Sequence, residues 1–464
     1  MKITNTKVYI VGAGPGDPGL ITVKAMEKLK LADVVVYDRL INNDLLSFCK
    51  KNCEKIFVGK ESGYHSIEQE RIIEILIKKS KAGLMVVRLK GGNPFIFGRG
   101  SEEAAALKKA GIDFEIIPGI TSGLSAPVYS GIPITQRGLI TQCVLITAHE
   151  CPDKPETQVD WEKLAKLKNT TLIIYMGASR IERICQQLIK HGMDPAMPAS
   201  VIENGTLSNQ RTIAGRLDEI AEESKKQNFH APVIILISPT VALRDDISWF
   251  ENKPLFNKRI VIAGNNNQSK KLQDVLYDLG GEILVLPLIK TQFNVSENDI
   301  WDSTGNSKTD FQKNLAKYQM VPWTKVKVDK NNFSPESWMP VNLNADSSFD
   351  VVSKELNKLG ISVSENDFFN SIKNRPETEL IDNIKKYGAD VFLFTASLAV
   401  DNFFQIFDCE TAQKLLSNTK VIAQNQHTVK ALAKRNIANT IIPDDNTVKG
   451  NYDFFCNLFN RKRG

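Results

Sequence analysis

The chain has 464 residues, 42% of them apolar, with 59 Lys and Arg against 53 Asp and Glu. That length accommodates about three domains of roughly 100 to 200 residues. The formal charge of +6 is too small and too dispersed for a nucleic-acid binder, although it suits a polyanionic substrate. No apolar run of about 18 residues is present, and MKITNTK enters a strand at once without a secretory leader pattern, so a cytoplasmic protein with no membrane partner is expected.

In chain order, the first signal is KVYIVGAGPGDPGLITVKAMEKLKLADVVVYDRL from Lys7: a buried-type strand, a turn at Gly12, Gly14 and Gly16, a helix over Leu20–Leu31, and a second strand. The spacing G-x-G-x-G-D, with Pro15 inside it, departs from the dinucleotide fingerprint, and the turn alone serves equally as a strand-to-helix connection. Further strands near Ile56, Leu84 and Phe114 alternate with helices near Ile73 and Leu107, which predicts an α/β lobe with a largely parallel sheet over about 1–118. A second lobe, about 119–242, has strands near Val144, Leu172, Val201, Thr212 and Ile234 and helices near Leu164, Ile184 and Ile220. The glycine-rich PGITSGLSAP from Pro118 crosses between the lobes, where a ligand cleft is expected. Residues 243–257 are polar, carry a proline and read as a linker. From Lys258 to the end a separate α/β domain begins with KRIVIAGNNNQ, and its Asn-, Asp-, Ser- and Lys-rich stretch 292–379 reads as eroded or partly disordered. The seven cysteines are scattered and lack a C-x-x-C pair, so neither a disulfide framework nor a metal site is expected.

Taken together, VVVYDRL, FVGKESGYH, VVRLKGGNPFIFGRGSEE, IIPGITSGLSAPVYSGIPITQRG, TLIIYMG and IENGTLSNQRTIAGRL closely resemble the uroporphyrinogen-III C-methyltransferases, S-adenosylmethionine-dependent tetrapyrrole methylases, from about Lys7 to Phe250. The resemblance implies a two-lobed methylase fold and C-methylation of uroporphyrinogen III at two ring carbons to give precorrin-2 for sirohaem or cobalamin biosynthesis. It also implies S-adenosylmethionine as methyl donor and a homodimer. Carried over residue by residue, it gives Pro15, Gly91, Gly92, Asn93, Ile96, Thr121, Ser122, Met176 and Gly205 as cofactor contacts, Asp38 as proton acceptor and Lys60 as proton donor. Read without the resemblance, Met176 is core packing, Thr121 and Ser122 are helix caps, Asp38 is an N-cap or a partner of Arg39, and Lys60 is a solvated charge. Arg39, Arg88, Lys90, Arg99 and Arg137 match by charge the eight carboxylates of such a macrocycle.

Two positions depart from the family's habit. Asn93 stands where a carboxylate is usual, so restoring the acid is expected to tighten cofactor binding, and Gln136 stands where a histidine is usual. The C-terminal region more faintly resembles the opening and closing parts of uroporphyrinogen-III synthase, whose two ends should form one lobe. AGNNNQ lacks the usual arginine-bearing loop and AQNQHT the usual glycine, so a degenerate synthase-like region is expected. A working bifunctional enzyme, a methylase acting on a later corrin intermediate, and a non-catalytic tetrapyrrole or cofactor binder are the alternatives.

Overall fold

Alternation along the first strand decides how the amino-terminal lobe is layered. In β1 (Val8–Gly12), Val8 and Ile10 join a cluster with Ile72, Leu76, Ala104 and Leu107, whereas Tyr9 and Val11 join Ala25 and Leu29 on the opposite face. The strand is therefore buried on both sides, as parallel strands are. The structure is a computed structural model, and it describes residues 7–59, 69–148, 158–293, 327–328, 361–362 and 369–459. Strands β1, β2 (Val34–Tyr37), β3 (Glu54–Phe57), β4 (Val86–Lys90) and β5 (Phe114–Ile117) form one parallel sheet in the order β3-β2-β4-β1-β5. Helix α1 (Val23–Leu31) covers one face; α2 (Gln69–Lys81) and α3 (Gly100–Lys109) cover the other. The chain leaves β1 toward β2 and leaves β4 toward β5, so adjacent strands β1 and β4 flank a topological switch point, where open α/β sheets receive ligands at their carboxyl ends.

The second lobe is a mixed sheet in the order β6-β7-β10-β8-β9, built from β6 (Gln142–Thr147), β7 (Thr170–Tyr175), β8 (Pro198–Glu203), β9 (Arg211–Arg216) and β10 (Val233–Ile237). Period-2 patterning again sorts its faces. Leu172, Ile174, Ile235 and Ile237 pack with Ile184 and Leu188 of α5 (Ile181–Lys190), while Ile173, Tyr175, Ile234 and Leu236 pack beneath Ala126 of α4 (Ser122–Tyr129). Ile96, from the loop after β4, is packed on that second face and so joins the lobes.

The expected linker is corrected by the structure: compact unit 1 runs to Asn257, and residues 244–257 pack on it. Phe250, Leu255 and Phe256 are buried there. The Trp249 indole N–H donates to the Val128 carbonyl at 3.0 Å. Glu251 accepts from Gln210 Nε2 at 2.8 Å and Thr212 Oγ1 at 2.6 Å, and pairs with Arg244. These are the internal connections of a folded segment, which local polarity concealed.

Unit 2, Lys258–Gly464, has a six-stranded sheet in the order β15-β12-β11-β16-β17-β18. Its strands are β11 (Arg259–Asn265), β12 (Glu282–Phe293), β15 (Phe369–Lys373), β16 (Val391–Phe394), β17 (Lys420–Ala423) and β18 (Thr440–Ile441), with β13 (Lys327–Val328) and β14 (Ile361–Ser362) pairing separately. The opening and closing segments thus share one sheet, β11 pairing with both β12 and β16. Most of 292–379 lies outside the described residues; its last part supplies β15, which pairs antiparallel with β12.

Candidate active site at the carboxyl edge of the parallel sheet

Three glycine backbones meet where the loops after β1, β4 and β5 leave the sheet. A Cβ on Gly12 would lie 2.5 Å from the Gly119 nitrogen, and one on Gly119 would lie 2.3 Å from the Gly92 carbonyl oxygen. Gly14 and Gly92 exchange both backbone hydrogen bonds, at 3.3 and 2.7 Å. Gly92 also has φ +64°, a conformation side chains resist, and nothing lies closer than 3.7 Å to its missing Cβ. Close backbone approach therefore explains these glycines physically, and Gly92 faces the Cα of Thr121 and the start of α4.

Asn93 ties two of the loops together. Its Oδ1 accepts from the Phe95 N–H at 2.9 Å and its Nδ2 donates to the Gly119 carbonyl at 3.1 Å. A carboxylate can replace the first interaction but not the second, and it would set two oxygens against each other. These bonds argue against the expectation that restoring the acid helps. Asn93→Asp is expected to cost about 1–3 kcal/mol, which lowers the melting temperature by roughly 3–10 °C, with no gain in S-adenosylmethionine affinity. Tighter binding by calorimetry with an unchanged melting curve would refute that account.

Thr121 stands at the N-cap position of α4, yet its side chain does not cap the helix. Instead Thr121 Oγ1 and the Tyr175 hydroxyl are 2.9 Å apart, and the Gly123 N–H donates to that same phenol oxygen at 3.0 Å. Gly123 is held to glycine by this contact, since a Cβ would lie 2.1 Å from the Tyr175 oxygen. Burial raises the Tyr175 phenol above its ordinary range, so it stays protonated. Sequence reasoning missed Tyr175. Directly after it, Met176 has φ +55° and is 48% exposed. Core packing is thereby excluded for Met176, and a bulky residue in the left-handed region is a backbone feature of the kind that clusters at functional sites. Ser122 opens α4, and Gly205 packs under it, a Cβ there lying 2.3 Å from that of Ala126. Pro15 and Ile96 are partly buried in the loops after β1 and β4. Exposed apolar side chains beside main-chain polar groups fit an adenosyl group with an apolar face and a polar rim.

The charged residues divide into two sets. Asp38, just past β2, has a side chain 29% exposed and accepts from Arg88 at 2.5 Å. Arg88 and Lys90, on β4, are only 1% and 4% exposed, so the structure corrects the expectation that they present themselves to a macrocycle. Alternation puts them on the inner face with Val86, and buried Glu103 of α3 accepts from both. Burial, then the neighbouring Arg88, pushes the Lys90 ammonium below its ordinary range. Arg39 and Arg137 are exposed, as is Arg99, which forks onto Glu102 at 2.9 and 2.8 Å. Gln136 is exposed in the loop before β6. Lys60 lies outside the described residues.

Residues 7–221 match the family model for tetrapyrrole (corrin/porphyrin) methylases. The amino-terminal unit carries a tetrapyrrole methylase domain. Residues 336–453, within unit 2, match the model for uroporphyrinogen-III synthase HemD. The chain is 43% identical over 292 residues to a uroporphyrinogen-III C-methyltransferase of Bacillus subtilis (strain 168), covering 63% of this chain and 60% of that one. It is 46% identical over 246 residues to a siroheme synthase of Escherichia coli (strain K12 / DH10B), covering 53% and 52%. It therefore spans about half to three fifths of the length of these relatives. Among solved structures, the native uroporphyrin-III C-methyltransferase of Thermus thermophilus is 36% identical with a TM-score of 0.44, covering 51% of this chain and 99% of that one. A complex of the Thermus thermophilus enzyme with S-adenyl homocysteine is 35% identical, with a TM-score of 0.43 and coverage of 51% and 93%. Among the described residues, no helix of the methylase unit or of unit 2 is long and apolar enough to cross a membrane.

Proposed function

We propose that the methylase unit transfers methyl groups from S-adenosylmethionine to two ring carbons of uroporphyrinogen III, giving precorrin-2 for sirohaem or cobalamin synthesis. The observation that carries this reading is Asp38: a partly exposed carboxylate, fixed by Arg88, at the edge of the sheet where the glycine loops converge. When bound, S-adenosylmethionine supplies an electrophilic methyl carbon. Pro15, the main chain of Gly91 and Gly92, Asn93, Ile96, Thr121, Ser122, Met176 and Gly205 would hold it. A reduced pyrrole is electron-rich, so the protein has to align two partners and handle a proton lost from the macrocycle. Asp38 accepts that proton, Lys60 carries the donor role given by the resemblance, and exposed Arg39, Arg99 and Arg137 meet substrate carboxylates at the rim. The cytoplasmic location, the homodimer, and the lack of metal, nucleic-acid and membrane partners expected from the sequence go with this reading.

For unit 2 we favour a degenerate synthase. In its AQNQHT turn, Asn425 Oδ1 accepts from both the Thr428 N–H at 2.9 Å and the Thr428 hydroxyl at 3.0 Å. The threonine is fully buried, so the turn's polar groups are occupied in capping the helix Gln426–Ala433. The synthase-family match keeps a bifunctional enzyme as the second reading. The intact chain, given methyl-labelled S-adenosylmethionine, is expected to label preformed uroporphyrinogen III readily, and to yield little labelled type-III product from linear hydroxymethylbilane. An unlabelled macrocycle in the first arm would defeat the methylase reading, and efficient labelling in the second would establish the bifunctional one.

A further inference from the structure

We propose that Glu103 is a positioning residue for proton transfer at Asp38, acting through Arg88. The inference rests on the assignment of Asp38 as proton acceptor. Glu103, from α3, is completely buried beneath the strand that carries Arg88 and Lys90. Its Oε1 accepts three bonds, from Arg88 Nε at 3.1 Å, Lys90 Nζ at 3.0 Å and Gln69 Nε2 at 3.0 Å, and its Oε2 has no partner among the described residues.

A fully buried carboxylate is a poor way to gain stability, because desolvating the charge offsets much of its attraction to partners. The arrangement makes sense as a device that aims Arg88. The guanidinium is planar and its donors form a rigid fork, so pinning some of them fixes the rest. Glu103 holds Nε, the Val36 and Leu89 carbonyls hold one terminal nitrogen at 3.3 and 3.4 Å, and the other terminal nitrogen then points at Asp38 Oδ1 at 2.5 Å. Among the described residues, the hydrogen-bonded cluster consists of Asp38 past β2, Arg88 and Lys90 on β4, Glu103 on α3 and neutral Gln69 from α2, with the exposed Arg99 and Glu102 pair at the start of α3 acting on Glu103 and Lys90 from outside it. The hydrogen-bonded charges among the described residues, two cations and two anions, balance. Removing Glu103 leaves both cations to Asp38, so the guanidinium is drawn away from its pinned orientation and the acceptor oxygen shifts from its place. Errors of that size far from the reacting atoms lower turnover, since proton transfer depends on geometry.

The test is a double-mutant cycle on the intact chain, measured in single turnovers with uroporphyrinogen III and S-adenosylmethionine. Glu103→Gln and Arg88→Lys are each expected to slow methylation by about tenfold to a hundredfold, with KM for both substrates held within about twofold. In an Asp38→Asn background the same changes are expected to add less than about twofold, because the group they position is gone. Calorimetric binding of S-adenosylmethionine at wild-type affinity verifies folding, and if Glu103→Gln fails it, Arg88→Lys decides. Losses that multiply through in the Asp38→Asn background, or that appear only in KM, overturn the inference while leaving an active wild type and its functional reading intact. A wild type inactive on uroporphyrinogen III sinks that reading, and this inference with it.

Discussion

Asp38→Asn is expected to lower the turnover of uroporphyrinogen III methylation by on the order of 10²–10⁴-fold, the range contributed by a positioned acid or base, while S-adenosylmethionine affinity stays unchanged. The amide keeps an oxygen that can accept from the Arg88 fork, 2.5 Å from the carboxylate oxygen in the native protein, so the local structure survives. What it loses is the capacity to take a proton, which matters in the transition state and not in cofactor binding. Asp38→Ala should show the same kinetic loss together with reduced stability, because Arg88 is 1% exposed and would lose one of its two anions. Steady-state kinetics beside titration calorimetry separate the two quantities. Collapsed cofactor binding with normal turnover per bound enzyme would remove Asp38 from the proton-handling role.

The second large effect concerns where the methylase unit ends. A chain stopping at Asn257 is expected to fold and methylate uroporphyrinogen III, whereas one stopping at Leu243 is expected to be insoluble, or to melt at least about 10 °C lower. The shorter chain lacks Phe250, Leu255 and Phe256, all at or below 9% exposure. Burying each such side chain contributes about 1.5–3 kcal/mol, and three together approach the entire stability of a domain, about 5–15 kcal/mol. It also lacks Glu251, which leaves Gln210 Nε2 and Thr212 Oγ1 without that acceptor. Equal melting temperatures for the two chains would show that residues 244–257 are the passive linker their composition suggests.

The site was partly visible in the sequence for one reason: glycine-rich turns and strand-end carboxylates are local features, written in consecutive residues. Gly12, Gly92 and Asp38 could be singled out by their places beside strands, and the structure brings the loops after β1, β4 and β5 together at one sheet edge. The expectation for Arg88 and Lys90 fails because a basic side chain on a buried strand face is not available to a ligand. VVRLK held a usable signal, since two cations at alternate positions of an otherwise apolar strand share one face and need a buried anion there. Glu103 was in plain view in GRGSEE. Nothing in that hexapeptide tells which glutamate turns inward, because the turn depends on how α3 lies across the sheet.

By itself, then, the sequence determined the α/β elements, their parallel arrangement in the first lobe, and the family of the amino-terminal unit, all of which follow from short-range periodicity and contiguous motifs. Only the tertiary structure decided three matters: that Thr121 binds Tyr175 instead of capping its helix, that residues 244–257 belong to the methylase unit, and that Arg88 and Lys90 lie beneath Asp38 and not at the rim. Each depends on residues brought together from more than one element, such as Tyr175 from β7 onto Thr121 and Glu103 from α3 onto β4. Burial and hydrogen-bond satisfaction are properties of that assembly, so no local pattern encodes them.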